Sequence, residues 1–118
     1  MVISRNSQGI PVHEANRHLI AEQAKIFKAL GHPSRLLMAS ALKDGEKCVC
    51  DLQRLIGDDM STVSKHLSIL KEAGVVLTDK RGTNVYYRLA LPCLNSFLNC
   101  TSELIEKRIS AQLAMLKT

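Results

Sequence analysis

The stretch that most constrains this chain is Asp59 to Gly74, DMSTVSKHLSILKEAG, together with the adjoining VVLTDKRGTNVYYRLAL. Val63, Leu67 and Leu70, joined by Ala73, recur at three- and four-residue spacing and draw one apolar stripe along a helix. Asp59 stands where a short acidic side chain accepts from the free N–H groups of the first turn. The opposite face is Met60, Ser61, Thr62, Ser64, Lys65 and Ser68, with no acid before Glu72. Small hydroxyls and one cation in the first two turns suit a helix whose N-terminal half enters a DNA major groove. An ordinary amphipathic surface helix carries the same stripe, so this segment alone leaves both readings open. The residues after Ala73 tip the balance. Two runs rich in β-branched and aromatic residues flank a Gly-centred turn and predict a hairpin with Lys80 and Arg81 near its tip.

Upstream residues complete the unit. Ala15, Leu19, Gln23, Ile26, Phe27 and Leu30 fall on one side of a helix that begins at Val12 and ends at Gly31. Pro33 sits in the first turn of the next helix, where its missing N–H costs nothing. Leu36, Leu37, Ala41 and Leu42 are expected to face the core. Lys43 to Glu46 is a turn, and Lys47 to Val49 has the length of one short strand. Asp51 to Ile56 is a short helix with Leu52 and Leu55 turned inward. Gly57-Asp58 then makes the tight turn into the Asp59 helix, which completes a helix-turn-helix. Pro92 starts a terminal helix reaching about Leu116, with Leu94, Phe97, Leu98, Ile105, Ile109, Leu113 and Leu116 in one wide stripe.

The expected fold class is therefore mainly α with a small β-hairpin, a winged helix-turn-helix. Residues 1–11 are polar and contain Gly and Pro, and are expected to form a loose arm. Residues 12–118 are one domain for DNA binding and dimerisation. A small domain does not easily cover the stripes at 12–30 and 92–116 by itself. This points to a homodimer through the N- and C-terminal helices, with Leu98, Ile105 and Ile109 near the seam. Twofold symmetry also matches a palindromic operator. DNA contact is expected from Ser61, Thr62, Ser64, Lys65 and His66, with Arg81 on the wing reaching phosphate or the minor groove.

With 118 residues the chain is long enough for one core, and its net charge of +5 favours a polyanionic partner. No run of about 18 apolar residues and no signal core occur, so the chain is expected in the cytoplasm, with no membrane partner. Four cysteines there are expected as reduced thiols, which makes them candidate ligands or sensors. No constellation of catalytic acid, base and nucleophile appears. The C-x-C spacing lacks the C-x-x-C of thioredoxin-like enzymes, so an enzyme is not expected. A thiol oxidoreductase or metal carrier is the remaining reading from another class.

ALGHPSRLLMASAL, KCVCDL, STVSKHLSILKEAGVV and KRGTNVYYRL, taken together and in this order, closely resemble the ArsR/SmtB family of metal-responsive winged-helix repressors. The resemblance covers roughly residues 20–91. It implies a dimer that binds its operator when free of inducer, with no cofactor required, and releases it on binding a metal or metalloid. KCVCDL is similar to the CVCDL box of the family's arsenic, antimony, cadmium and lead sensors, which maps the two thiols onto Cys48 and Cys50. His66 resembles the family's helix histidine near the DNA backbone, a capping or buried-polar role being the alternative. The chain departs from the family in its further ligands. Gln53 stands where the enterobacterial type of arsenite repressor has a third cysteine. The 1–11 arm has none of the cysteines that complete the cadmium/lead sites. Pro92–Thr118 contains neither His nor Asp, which the zinc and nickel/cobalt sensors use there, but does contain Cys93 and Cys100.

Thiolates select soft ions such as arsenic(III), cadmium(II), lead(II) or copper(I), and among these the resemblance implies arsenic(III) or antimony(III) first and cadmium(II) or lead(II) next. Within a regular helix, Cys-x-Cys side chains lie about 200° apart. At a strand-to-helix junction the second cysteine can cap the helix while the first precedes it, and a thiol at a helix N-terminus is more readily ionised. On that expectation Cys50 is the better placed of the two. Free cysteines also serve as small buried hydrophobes. Cys93 and Cys100 are about 10 Å apart along a continuous helix, too far to share one ion unless the first turn is unwound or the partner chain contributes. Either could join Cys48 and Cys50, form a second thiol site across the dimer, or pack as core. Cys93, at the helix start, is the expected third ligand, ahead of His13 and His18, whereas Cys100 is expected to pack. The alternative within DNA binding is a thiol redox sensor that releases its operator on forming a disulfide.

Overall fold

A computed structural model of the chain describes residues 12–117, with side chains from residue 16 onward. The arm expected at 1–11 and the side chain of His13 lie outside the described residues. Helix α1 spans Val12–Leu30 and α2 spans Pro33–Ala41, followed by a single 3-10 turn at Leu42–Asp44. Strand β1 is Lys47–Cys48, α3 is Val49–Ile56 and α4 is Met60–Glu72. Strands β2, Val76–Arg81, and β3, Asn84–Leu89, form the hairpin, and α5 runs over Leu94–Leu116.

Local chemistry sets the boundaries. His32 caps α2, its Nδ1 accepting from the Ser34 N–H at 3.1 Å, with Pro33 in the first turn. Helix α3 begins two residues before the expected Asp51, because Cys48 in extended conformation is its N-cap and Sγ accepts from the Asp51 N–H at 3.4 Å. Gly57 closes α3 at φ +84°, a conformation that glycine adopts without a Cβ clash, and donates its N–H to Gln53 O at 2.8 Å. Asp59 caps α4, Oδ1 accepting from the Thr62 N–H at 2.7 Å. Gly82, at φ +63°, turns the hairpin. The short strand β1 adds to the hairpin's β3, giving an antiparallel sheet of order β1-β3-β2 with Cys48 opposite Tyr86.

The core gathers Ala29 and Leu30 of α1, Met38 and Ala39 of α2, Leu42, Leu52 of α3, Val63, Leu67 and Leu70 of α4, and Val75, Val76 and Leu94. The stripe of α4 is therefore the one its spacing predicts. Two expectations are corrected. Leu37 is 48% exposed, and the residues that α2 buries are Met38 and Ala39. Four consecutive apolar residues, Leu36 to Ala39, leave the inward face of so short a helix undetermined until α1, α3 and α4 pack against it. Leu55 is 43% exposed while Leu52 is fully buried. Starting at Val49 rather than Asp51, α3 turns Leu52 and the half-buried Val49 and Ile56 to the core, and Leu55 points away.

The terminal helices are left largely uncovered. Phe27 of α1 meets Phe97 of α5 edge to face, 5.6 Å between ring centroids. Beyond that contact Leu104, Ile105, Ile109, Leu113 and Leu116 are all exposed. The radius of gyration is 18.8 Å, against about 13–14 Å for a compact chain of this length, so the helices project from the core. No helix among the described residues is long and apolar enough to cross a membrane.

Candidate nucleic-acid interface and thiol site

The first two turns of α4 present Ser61, Ser64 and Lys65 to solvent, with Thr62 half-buried beside them. Ser61 Oγ donates to Asp59 Oδ1 at 2.9 Å, so the hydroxyl oxygen remains open as an acceptor. The Thr62 N–H, then the Thr62 and Ser61 hydroxyls, hold the Asp59 carboxyl below the usual carboxylate range. The cap is thus an ionised carboxylate at the positive end of the helix.

His66, one turn further on, is half-buried and faces α2. Its Nδ1 lies 3.2 Å from Arg35 Nη1, and its ring is 4.4 Å from that of His32. A guanidinium only donates, so Nδ1 accepts and the neutral ring carries its proton on Nε2. Burial, then the charges of His32 and Arg35, push the His66 pKa down, against a smaller opposing effect of Asp58.

At the tip of the wing Arg81 makes a bidentate pair with Glu46, at 2.6 and 2.9 Å, and a third bond to Asp79 at 2.9 Å. Its guanidinium lies over the Tyr86 ring at 4.7 Å. Glu46 and Asp79 hold the guanidinium more firmly protonated than an ordinary arginine. These bonds engage three of the five guanidinium N–H groups, which leaves one on each Nη open. The neighbouring Lys80 is exposed.

All four cysteines are free thiols. Cys48 is half-buried as the α3 cap, and Cys50 is exposed in the first turn of α3. This corrects the expected assignment: the capping thiol is Cys48, because the helix starts one residue after it. Cys93 is exposed at the start of α5, where it makes no side-chain cap, and lines a cavity of about 250 Å³ with Ile26, Phe27, Leu30, Leu94 and Phe97. Cys100 is exposed one helical segment further on rather than packed in the core. His18 is exposed on α1. Among the described residues no three His, Cys, Asp or Glu side chains gather so as to hold a metal ion. Cys48 and Cys50 thus share one junction, and Cys93 does not join them within one chain.

Residues 32–78, from the cap of α2 to the start of the hairpin, match the model of bacterial regulatory proteins of the arsR family. Over 66 residues the chain is 46% identical to an uncharacterized HTH-type transcriptional regulator of Methanocaldococcus jannaschii, a match covering 54% of this chain and 74% of that protein. The chain belongs to the ArsR family. As a member it is a DNA-binding transcriptional regulator and not an enzyme. It is also 43% identical over 67 residues to a cadmium resistance regulatory protein CadC homolog of Staphylococcus aureus, covering 56% of this chain but only 55% of that regulator's length. Among solved structures it is similar to a homodimeric winged helix-turn-helix DNA-binding domain from Mycobacterium bovis, a possible ArsR-family regulator. The TM-score there is 0.69 at 26% identity, over 81% of this chain and 89% of that one.

Three pairings in this ArsR-family site were not legible in the sequence. Arg35 and His66 are 31 positions apart, His32 and His66 are 34 apart, and Glu46 and Arg81 are 35 apart. Helical and strand periodicity reports neighbours three or four and two residues away, so it is blind to all three.

Proposed function

We propose that this ArsR-family chain is a transcriptional repressor that binds operator DNA as a homodimer and releases it when a soft metal or metalloid binds Cys48 and Cys50. The inducer is arsenic(III) or antimony(III), ahead of cadmium(II) and lead(II). The observation that carries this is the seating of both thiols at the N-terminus of α3, with Cys48 as its cap. From there only α3 and the Gly57–Asp59 turn separate them from α4. A soft ion held there changes charge and geometry at the start of the helix-turn-helix. That re-aims α4 against its twofold mate, and both half-sites are no longer matched together. Cys93 is the third donor, brought to the pair from outside the single-chain arrangement. Ser61, Thr62, Ser64 and Lys65 contact DNA from α4, with His66 just behind that face, and Arg81 contacts it from the wing. The uncovered apolar faces of α1 and α5 support dimerisation.

The test uses a labelled duplex selected by the full-length protein from a random-sequence pool. Cys48→Ser and Cys50→Ser should bind it within a few-fold of the unaltered chain yet ignore arsenite and cadmium. Serine is itself a good N-cap, so Cys48→Ser keeps α3 in place. Cys93→Ser should weaken the response, and Cys100→Ser should spare it. Release of both single variants at unaltered inducer levels would show that the C-x-C pair only packs.

A further inference from the structure

Behind α4 lies a cleft of about 450 Å³, lined by Lys25, Lys28 and Ala29 of α1, Arg35 of α2, and Ile69 and Glu72 of α4. Packing therefore does not fill the space between α4 and the end of α1, although Val63, Leu67 and Leu70 seat α4 on the rest of the core. One side chain spans the gap. Arg35 donates Nε to the carbonyl of Ala29, Nη2 to that of Lys28 at 3.5 Å, and Nη1 to His66. The two carbonyls belong to the last turn of α1: that of Lys28 also accepts from the Gly31 N–H at 3.2 Å, whereas the residue four positions after Ala29 is Pro33, which has no N–H to offer.

We propose that Arg35 is a positioning residue for DNA recognition, tying the imidazole of His66 on α4 to the carbonyl end of α1 and so fixing the angle at which α4 meets DNA. The inference rests on the reading of α4 as the helix that contacts DNA. A planar guanidinium satisfies three acceptors in fixed directions, which a lysine ammonium on a flexible stem does not reproduce. The tie also requires a neutral His66, because Nδ1 must accept. The groups facing His66 are Arg35 and His32 from α2 and Asp58 from the turn before α4. Helix α1 offers two carbonyls and, around the adjoining cleft, the cations Lys25 and Lys28. Only Asp58 favours protonation. Once protonated, His66 donates from both nitrogens, loses the Arg35 bond and repels the guanidinium, so the tie opens in acid.

The sign of the pH dependence distinguishes this role from direct contact. A histidine that touches phosphate gains a charge on acidification and binds DNA more tightly. A histidine that holds α4 in place binds DNA less tightly. Affinity of the full-length protein for the selected duplex and for a scrambled duplex is measured by fluorescence anisotropy between about pH 8 and about pH 5, spanning the ordinary histidine pKa of about 6.5. The preference for the selected duplex should fall about tenfold across that range. It should be flat in His66→Asn, whose Oδ1 accepts near the position of Nδ1 but does not titrate. At about pH 8, Arg35→Lys should lose about tenfold of the preference while its scrambled-duplex affinity stays within twofold, a pattern that general destabilisation does not produce. Tighter binding in acid, or an equal slope in His66→Asn, overturns the proposal even if Arg35→Lys fails to fold. Failure of the unaltered protein to select any duplex would instead overturn the repressor reading beneath it.

Discussion

Ile105 lies near the middle of α5, 47% exposed in the single chain. Covering it in a twofold interface removes about 90 Å² per copy, or about 180 Å² per dimer, which at about 25 cal/mol/Å² amounts to about 4–5 kcal/mol. Replacing it with aspartate forfeits that gain and places two unpaired carboxylates in the seam, so the loss is at least that large. The dimer dissociation constant should rise by about a thousandfold or more. Because the substituted side chain is exposed in the monomer, the helical circular dichroism of the folded chain should persist. Sedimentation velocity over a dilution series from micromolar to nanomolar gives the association constant directly. Lys107→Ala, about 200° around the helix from Ile105, serves as the control. An Ile105→Asp chain that remained dimeric throughout the series would refute the assignment of α5 to the interface. An equal loss in Lys107→Ala would show that the seam lies on another face of the helix.

Leu67, fully buried beneath α4, should cost about 2–5 kcal/mol on replacement by alanine, read as a lower urea midpoint; a loss under about 1 kcal/mol would contradict its core placement. Lys65→Ala and Arg81→Ala should each flatten the slope of log affinity against log salt by about 0.9, measured between about 50 and 200 mM, while Glu46→Gln should tighten binding because the carboxylate that offsets the Arg81 charge is removed. The depressed Asp59 carboxyl has a clear sign: its contribution to stability is present above the ordinary aspartate pKa and is lost as pH falls through its own lower value. Asp59→Asn keeps an acceptor for the Thr62 N–H but should lose that acid-dependent component in denaturation curves taken across the acid range, and an unchanged pH profile would contradict the cap.

Much of the architecture is determined by near neighbours in the sequence. The stripe of Val63, Leu67 and Leu70, the cap at Asp59, the stop at Gly57 and the hairpin turned at Gly82 each depend on residues within a few positions. Such features follow from helical period, capping and left-handed backbone preference, which act locally. The uncovered stripe of α5 was legible for the same reason. Tertiary packing decided the rest. It chose Met38 and Ala39 over Leu37 within an unbroken apolar run, because only the neighbouring helices define which side of α2 is inside. It moved the cap of α3 to Cys48, because pairing with Tyr86 of β3 holds that residue extended and lets the helix begin at Val49. It also gave Arg81 two carboxylates and gave His66 an arginine, through contacts that include residues more than 30 positions apart. A sequence displays which side chains carry charge or a hydrogen-bonding atom, but partners that distant are set by the packing of the elements that carry them.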